Sequence, residues 1–505
     1  MAEQEAVEPG PGRLAATPTL GPLVWQGMAA SALITAASWG VGWFPRNQLS
    51  QLARSGFFIE FRTELTGVLL CIAAMIIGIL WLLRTWLLAR PWVSSTESIS
   101  ERQLRGLLIA WAAPLLVSFP ILSRDVYSYL AQGRMLHAGK SPYSEGVSAL
   151  PGWFDGGSDG LWAQSPSPYG VLFLVLSQGV YVISGGSPEI GVGLLRLLAV
   201  AGVIGCYYLT GWLAKKMGHN PRWALWAIVG NPLFLLTMIG GVHNDALMIA
   251  VTFWAFGLAL SRRMLWATLA LMLAVSIKPI VLVLLPFLGL AMLPANAPLR
   301  ERIVMWAKIS VLSFAWLLLF GVLTNLFFGW LPAMFTSGNA AFPYAPVGLL
   351  GTIMGYLGSL WGLNAGIVAT VIFTGFRLLS LYVVARLALA KDTSRPIRLA
   401  AWALSAVVLL APIIQPWYIL WLFALFFISD QISWPSEKLM AGLTMLITLV
   451  VCVDQLSIEQ WHSVWLLKLG AALLGLSLLL IMVRLDRPIR QMLRSGPHAA
   501  DTRVN

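Results

Sequence analysis

Residues 67–88 read GVLLCIAAMIIGILWLLRTWLL, an apolar run with a single charged side chain, Arg84. A helix that spans a bilayer needs about 20 consecutive, mostly apolar residues. This stretch therefore predicts a transmembrane helix, and similar runs recur between residues 22 and 485. The fold class that follows is an all-α polytopic membrane protein.

The composition excludes a soluble globular protein. Charged residues make up 11% of the 505 residues and hydrophobic residues 58%, whereas soluble domains carry about 25% charged residues. A water-soluble chain of this length would divide into domains joined by polar linkers, and the sequence shows none. Cys71, Cys206 and Cys452 all fall inside apolar runs, so neither a disulfide framework nor a zinc site is expected.

Ten segments are predicted to span the membrane: 22–42, 67–88, 104–122, 188–213, 222–240, 245–261, 303–328, 363–388, 439–457 and 463–484. Two pairs of shorter segments are interrupted by a proline: 264–277 with 279–294, and 399–414 with 416–430. Proline disfavours the α conformation in the residue before it. Each pair is therefore predicted to form two short helices that meet at one membrane face.

The distribution of Lys and Arg sets the predicted topology. Residues 169–186 and 347–361 are also apolar, but if 169–186 crossed, the basic loop at 215–222 would lie on the same side as the long 123–168 segment. Placing both stretches in the membrane interface puts the basic loops on one side, which the positive-inside rule identifies as the cytoplasm. The net charge of +12 thus indicates membrane orientation, and no nucleic-acid partner is expected.

This topology predicts a plasma-membrane protein with about 14 transmembrane helices, within a range of 11–15, and an outward-facing active site. Residues 22–485 form one integral membrane domain with outer loops at 123–187 and 329–362. Residues 1–21 are predicted to be a disordered cytoplasmic tail, and residues 486–505 a basic cytoplasmic tail.

Asp125 is the first unusual polar residue on the predicted outer side. It follows an apolar span, at the membrane surface where a lipid-linked substrate and a water-facing substrate can meet. A carboxylate there suits a general base, and Tyr127 and Tyr129 beside it suit contact with a sugar. The alternative is an ion pair of Asp125 with Arg124 or Arg134 that only pins the loop.

Three more groups of residues reach the same side. His243-Asn244-Asp245 suits binding of phosphate, a hydroxyl or a cation; the alternative is that Asn244 or Asp245 caps the helix beginning at Ala246. Lys278 suits a phosphate at headgroup level, or it snorkels to the interface. Gln415, Trp417 and Tyr418 line a groove for a prenyl chain or sugar, or belong to an interfacial aromatic belt.

Arg196 lies inside a predicted span, where burial costs about 2.5–3.5 kcal/mol. It therefore requires a partner in the bundle, and a lipid phosphate is a candidate. No ligand spacing demands a metal ion, so no metal or other cofactor is expected.

The motifs together resemble the MptA/MptB family over roughly residues 20–485. They are Ser123-Arg124-Asp125-Val126-Tyr127-Ser128-Tyr129-Leu130-Ala131-Gln132-Gly133, Pro142-Tyr143, Pro168-Tyr169-Gly170, Gly240-Gly241-Val242-His243-Asn244-Asp245, Lys278-Pro279 and Pro416-Trp417-Tyr418. The family consists of polyprenyl-phosphate-mannose-dependent α(1→6)-mannopyranosyltransferases of the GT-C class, which build the mannan backbone of lipomannan and lipoarabinomannan. GT-C members carry an acidic residue in the first long outer loop. Here that loop follows the third predicted span, so either extra helices precede the common core or the early span count is off.

The resemblance implies Asp125 as the catalytic base of an inverting mannosyl transfer. The donor would be polyprenyl-phosphate mannose, and the acceptor a mannosylated phosphatidylinositol or a growing lipomannan chain. Lys278, His243 and Arg196 are candidates for neutralising the leaving phosphate. The full set of candidate substrate-binding residues is Arg124, Tyr127, Tyr129, Gln132, Arg134, Arg196, His243, Asn244, Asp245, Lys278, Gln415, Trp417 and Tyr418.

Two alternatives stay open from the sequence: a transporter or flippase of a lipid-linked sugar, and a GT-C transferase for another sugar. Transporters place polar residues near the bilayer midplane on broken helices in paired repeats. Clustering at one membrane face favours an enzyme.

Overall fold

The computed structural model describes residues 20–94, 99–337, 345–430 and 432–495. All secondary structure in these ranges is helical, with no strand. A helix satisfies its own backbone hydrogen bonds, which is what a chain buried in hydrocarbon requires. The predicted all-α class is confirmed.

The described ranges contain 21 α-helices. In chain order they are α1 (Leu20–Val41), α2 (Gly56–Thr63), α3 (Leu65–Ala89), α4 (Glu101–Ala112), α5 (Asp125–His137), α6 (Val171–Ile183), α7 (Pro188–Lys216), α8 (Pro221–Ile228), α9 (Pro232–Leu235), α10 (Asp245–Leu260), α11 (Met264–Val275), α12 (Leu285–Ala291), α13 (Leu299–Thr324), α14 (Trp330–Ser337), α15 (Pro346–Ser359), α16 (Ala365–Ala388), α17 (Pro396–Leu409), α18 (Ile419–Ser429), α19 (Trp434–Asp454), α20 (Val464–Leu485) and α21 (Arg487–Ser495). Short 3₁₀ segments lie at Leu52–Arg54, Arg90–Val93, Ala113–Val117, Val147–Ala149, Pro279–Leu284 and Pro416–Tyr418, and a π segment at Leu236–Gly240.

Seven of the described helices are long and apolar enough to cross a bilayer. They are α1, α3, α7, α13, α16, α19 and α20. An eighth span results if α8 is counted with α9 and the π segment, two parts bent by 56°. The other predicted spans fold as shorter helices, so the count of about 14 crossings stays a prediction.

Residues 104–122, predicted to span the membrane, do not form one continuous helix. Helix α4 ends at Ala112, a 3₁₀ segment follows to Val117, and the chain then runs without helix to α5. Pro114 and Pro120 account for this, because proline lacks an N–H donor and clashes with the preceding turn of an α-helix. The result is a non-helical approach to Asp125.

Both predicted proline breaks are confirmed. Helix α11 ends at Val275 and the next 3₁₀ segment begins at Pro279, while α17 ends at Leu409 and its successor begins at Pro416. Packing brings these two breaks together, since the Lys278 ammonium lies 5.8 Å from the centre of the Tyr418 ring. This meeting point is the centre of the candidate site.

Several predicted segments have mixed outcomes. The apolar stretches at 169–186 and 347–361 form α6 and α15, of 13 and 14 residues, which are shorter than a straight span requires. The predicted N-terminal tail lies outside the described residues except for Leu20 and Gly21, which begin α1. The predicted C-terminal tail begins as α21, and residues 496–505 lie outside the described part, as do residues 338–344 of the second predicted outer loop.

A buried polar contact joins the third and nineteenth helices away from the site. Arg90, just after α3, forms an ion pair with Glu437 of α19, and both side chains are about 95% buried. Beside it, the stacked rings of Trp86 and Trp226 each donate an indole N–H to the other's backbone carbonyl, at 3.0 and 2.8 Å. These contacts fix the framework on which the site is built.

Candidate active site

Asp125 is the first residue of α5. The free backbone N–H groups at a helix N-terminus favour a carboxylate there, and the Asp125 N–H itself donates to the Ser123 hydroxyl at 3.0 Å. The Asp125 side chain is 20% exposed. It is therefore held by the fold yet still accessible.

The turns before Asp125 and before His243 share an unusual backbone. Leu122 has φ of 62° and Val242 has φ of 59°, in the left-handed region that costs side-chain-bearing residues on the order of 1–3 kcal/mol. The two turns are tied together, because the N–H of Ile121 donates to the carbonyl of Gly240 at 3.2 Å. Strained backbone held in this way brings the side chains of Asp125 and His243 close together.

The imidazole of His243 lies between two carboxylates. Its Nδ1 is 3.7 Å from Asp125 Oδ2 and 3.5 Å from Asp245 Oδ2. His243 is fully buried. The sequence motif that ends at Asp245 is thus joined to the motif that contains Asp125.

Asp245 in turn is held by two donors. Its Oδ1 accepts from Lys278 Nζ at 2.5 Å and from the indole Nε1 of Trp421 at 2.6 Å. Asp245 is fully buried and Lys278 is 7% exposed. The interpretation in which Lys278 snorkels is wrong, because its ammonium is directed to a buried carboxylate.

Aromatic rings enclose this ion pair. The Trp417 ring lies 4.2 Å from the His243 ring, and Tyr418 stacks on Trp421 with centroids 4.0 Å apart. The Lys278 ammonium lies 5.0 Å from the Trp421 centroid and 5.8 Å from that of Tyr169, within cation–π range. Because the rings exclude water, the charges they surround interact more strongly than at a surface.

Tyr169 closes the site on the side of Asp125. Its hydroxyl lies 3.5 Å from Asp125 Oδ2, as a donor. The next residue, Gly170, donates its N–H to the carbonyl of Ile277 at 3.0 Å. A Cβ on Gly170 would lie 2.3 Å from the carbonyl carbon of Ser276, so only glycine permits this approach.

The surroundings shift the titration of Asp125. Burial raises the pKa of its carboxyl, and the nearby negative charge of Asp245 acts in the same direction. Positive charge on His243 and Lys278 acts in the opposite direction. A carboxylate whose pKa is raised towards the working pH is suited to proton transfer.

Arg124 holds the loop that follows α5, and Tyr127 bonds to the segment that follows α1. Arg124 donates to the carbonyls of Gly157 and Ser158 at 2.9 and 2.8 Å, and its guanidinium lies over the Trp43 ring. The Tyr127 hydroxyl donates to the carbonyl of Trp43 at 2.8 Å. Arg124 therefore pins the loop through backbone carbonyls, and the alternative of an Arg124–Asp125 ion pair is wrong.

Gln132 and Arg134 make similar contacts further along α5. The Ser167 hydroxyl donates to Gln132 Oε1 at 3.1 Å, and Arg134 donates to the carbonyl of Pro151 at 3.0 Å. The second ion pair considered for Asp125, with Arg134, is therefore also wrong. A direct role in substrate binding stays a prediction for these residues.

Tyr129 and Asn244 lie buried at the edge of the cluster. The Tyr129 ring meets the rings of Tyr169 and Phe173 edge-on, with centroids 5.1 and 4.8 Å away. Asn244 precedes α10, but its amide makes no cap bond and has no hydrogen-bond partner among the described residues. The capping interpretation is therefore wrong for Asn244, and a role of its amide in substrate binding stays a prediction.

Arg196 joins the two segments that lead into the site. From α7 it donates through Nε to the carbonyl of Ile239 at 3.2 Å and through Nη1 to the carbonyl of Leu116 at 2.8 Å. Its bundle partners are thus backbone carbonyls in the segments that lead to His243 and Asp125. Its Nη2 is buried without a hydrogen-bond partner among the described residues.

Tyr169 and Trp421 are not among the site residues predicted from the sequence. Trp421 is four residues after Trp417, a spacing that places both on one helical face. Tyr169 stands in the quoted Pro-Tyr-Gly motif, where the close approach of Gly170 is the signal. Gln415 is a predicted site residue, and its backbone carbonyl accepts a hydrogen bond from the N–H of Tyr418 at 2.9 Å.

Within the described ranges, no group of three His, Cys, Asp or Glu side chains is arranged to hold a metal ion. Independence from metals stays a prediction.

Comparison with known proteins identifies relatives along most of the chain. Residues 24–294 match the family model described as "Alpha-(1->6)-mannopyranosyltransferase, N-terminal domain", and residues 347–480 match the "MptB C-terminal domain". Alpha-(1->6)-mannopyranosyltransferase A of Mycobacterium tuberculosis is 30% identical over 417 residues, 78% of each chain. The enzyme of the same name from Corynebacterium glutamicum is 36% identical over 184 residues, 36% of this chain and 37% of the relative.

A second protein of that organism, alpha-(1->6)-mannopyranosyltransferase B, is 27% identical over 383 residues, 69% of this chain and 63% of the relative. No solved structure matches the chain. The first family model includes Asp125, His243, Asp245 and Lys278, and the second includes Trp417 and Trp421. The candidate site is therefore assembled from both matched regions.

Proposed function

The chain belongs to the MptA/MptB family of α(1→6)-mannopyranosyltransferases, and we propose that it transfers mannose from polyprenyl-phosphate mannose to the 6-hydroxyl of a mannosylated lipid. The observation that carries this proposal is the accessible carboxylate of Asp125 beside buried His243, 3.7 Å away. The acceptor is a mannosylated phosphatidylinositol or a lipomannan chain, and the product is an α(1→6)-linked mannan backbone.

The proposed reaction is a direct displacement. Asp125 takes the proton of the acceptor 6-hydroxyl as the oxygen attacks the anomeric carbon of the donor. The bond from that carbon to the phosphate oxygen breaks, and its electron pair stays on the phosphate. A β-linked donor then gives an α-linked product, by inversion and without a covalent enzyme intermediate.

The leaving group needs positive charge more than it needs a proton. The donor is a phosphodiester with one negative charge, and the released polyprenyl phosphate carries about two. Fixed positive groups placed where that charge develops lower the barrier. His243, Lys278 and Arg196 are the candidates for this role: His243 and Lys278 lie in the cluster beside Asp125, and Arg196 has an Nη2 without a hydrogen-bond partner among the described residues.

We place this chemistry at the outer face of the plasma membrane, with both termini in the cytoplasm. The support is the distribution of basic loops in the sequence, together with the position of Asp125 at the start of α5, between the long apolar helices α3 and α7. A lipid-phosphate donor used there requires no nucleotide. No nucleotide-binding motif was found in the sequence.

The test is mannose transfer by the purified full chain in detergent. Polyprenyl-phosphate mannose with a radiolabelled sugar is supplied together with a synthetic α(1→6)-mannoside, and the linkage formed is determined by NMR. We expect an α(1→6)-linked product one mannose longer. No transfer at saturating donor would refute the proposal, and transfer of arabinose or glucose in preference to mannose would reassign the donor sugar.

A further inference from the structure

Lys278 is poorly placed to bind the donor phosphate. Its ammonium already meets Asp245 Oδ1 at 2.5 Å, three aromatic rings lie within 5.8 Å of it, and the residue is 7% exposed. A phosphate would have to displace a buried carboxylate that is also bonded to Trp421. The ammonium of Lys278 is therefore the ion-pair partner of Asp245.

We propose that Lys278 and Asp245 form a positioning pair, which fixes His243 against Asp125 and sets the charge around the base, and that Lys278 does not bind the donor phosphate. This proposal rests on the proposed function, because it concerns the same site. The chain of contacts runs from Lys278 to Asp245, from Asp245 Oδ2 to His243 at 3.5 Å, and from His243 to Asp125 at 3.7 Å.

The charges in this chain set the electrostatic environment of Asp125. The charged and titratable groups that face Asp125 from the packed elements are His243, Asp245, Lys278, Asp159, Tyr129 and Tyr169. With Asp125 and Asp245 ionised, Lys278 supplies one fixed positive charge beside two carboxylates. An uncompensated buried charge is strongly unfavourable. Lys278 is therefore needed to compensate the fully buried Asp245, and the charges of both residues act on Asp125.

The net charge of Asp125, His243, Asp245 and Lys278 changes during the reaction. When the acceptor proton moves to Asp125, the net charge of the four-residue cluster becomes more positive by one. At the same step the phosphate passes from about one negative charge to about two. The developing charges attract each other across a site from which aromatic rings exclude water, which stabilises the transition state.

Charge-changing variants of the pair provide the test. Lys278→Met removes a positive charge, so Asp125 should hold its proton to higher pH. The acid limb of the kcat/KM profile should then move up by about one pH unit.

Asp245→Asn removes a negative charge and should move the limb down by a similar amount. The double variant Asp245→Asn/Lys278→Met should return the acid limb close to its wild-type position. Its donor KM should be unchanged. Its kcat should be lower, because the charged Asp245 carboxylate no longer positions His243.

A surface ion pair in the neighbouring loop offers a matched control. Lys140 and Glu145 lie 3.0 Å apart, with side chains 38% and 44% exposed. Lys140→Met/Glu145→Gln removes one positive and one negative charge as the double variant does, but outside the cluster. We expect its acid limb, donor KM and kcat to match the wild type.

Two results together would overturn the proposal. Lys278→Met would raise the donor KM while the acid limb of its kcat/KM profile stays at the wild-type pH, and the double variant would show the same raised donor KM. That result would make Lys278 a phosphate ligand. Single variants leave a buried charge unpaired, so monodisperse elution in detergent is checked first. If they do not fold, the donor KM of the double variant decides alone. An inactive wild type would refute the proposed function, whereas an active wild type with a raised KM in the double variant overturns only this inference.

Discussion

Gly170→Ala is the substitution that most directly tests how the site is assembled. A methyl group on Gly170 would lie 2.3 Å from the carbonyl carbon of Ser276, and 2.5 Å from the carbonyl oxygens of both Ser276 and Val275. All three are backbone atoms, so no side-chain rotation relieves the contact. Ordinary contact begins near 3.4 Å, and the two segments must therefore separate by about 1 Å.

This separation has two consequences that can be measured. Overpacking of a close contact destabilises a protein by typically 1–3 kcal/mol. The shift also carries Tyr169 away from Asp125 and Lys278, and a misplacement of about 1 Å at a reacting centre can cost about 10²-fold in rate. We therefore expect Gly170→Ala to lower kcat/KM for mannose transfer by one to two orders of magnitude, with a lower thermal midpoint in detergent.

Gly179→Ala is the matched control in α6, the helix that Gly170 immediately precedes. A Cβ on Gly179 meets nothing within 4 Å, and alanine is the better helix former by about 1 kcal/mol. We expect wild-type kcat/KM and an unchanged or slightly higher thermal midpoint. If Gly170→Ala transferred mannose as fast as Gly179→Ala does, the close approach of Tyr169 would not be needed for catalysis.

Three further predictions follow from the structure. Because burial raises the pKa of Asp125 and a protonated carboxyl cannot accept a proton, the kcat/KM profile should fall on its acid side with a midpoint above the ordinary aspartate value of 3.8. Arg90→Met should lower the free energy of unfolding by about 3–5 kcal/mol by leaving buried Glu437 unpaired, and adding Glu437→Gln should recover most of it, measured by denaturant titration. EDTA should leave the transfer rate unchanged, and recovery of a lost rate by added Mg²⁺ or Mn²⁺ would refute the metal-free mechanism.

Local sequence rules predicted much of the helical framework. Long apolar runs predicted α1, α3 and α7 because hydropathy is a property of each segment alone. The breaks before Pro279 and Pro416 followed from the restriction that proline places on its neighbour. The same rule applied at Pro114, where the apolar composition of 104–122 hid a break that the structure shows.

The site residues could be selected from the sequence, but their pairing could not. Asp125, His243 and Lys278 stand out as polar groups beside apolar segments, and the family resemblance added their chemistry. Lys278 and Asp245 are 33 positions apart, so only tertiary packing decides that they meet. The same holds for Arg196, whose partners are backbone carbonyls of Leu116 and Ile239. A sequence pattern carries no signal for such acceptors, since every residue has one.

The most direct test of the proposed mechanism is single-turnover mannose transfer by Asp125→Asn, with donor binding measured on the same sample. Asparagine keeps the shape of the side chain but cannot serve as the base, and general-base catalysis contributes about 10²–10⁴-fold. Asp155→Asn, at an exposed carboxylate in the same loop, is the matched control and should behave as the wild type. If Asp125 is the base, Asp125→Asn binds donor with wild-type affinity and transfers mannose at least about 10²-fold more slowly. A transfer rate near that of Asp155→Asn would contradict the assignment.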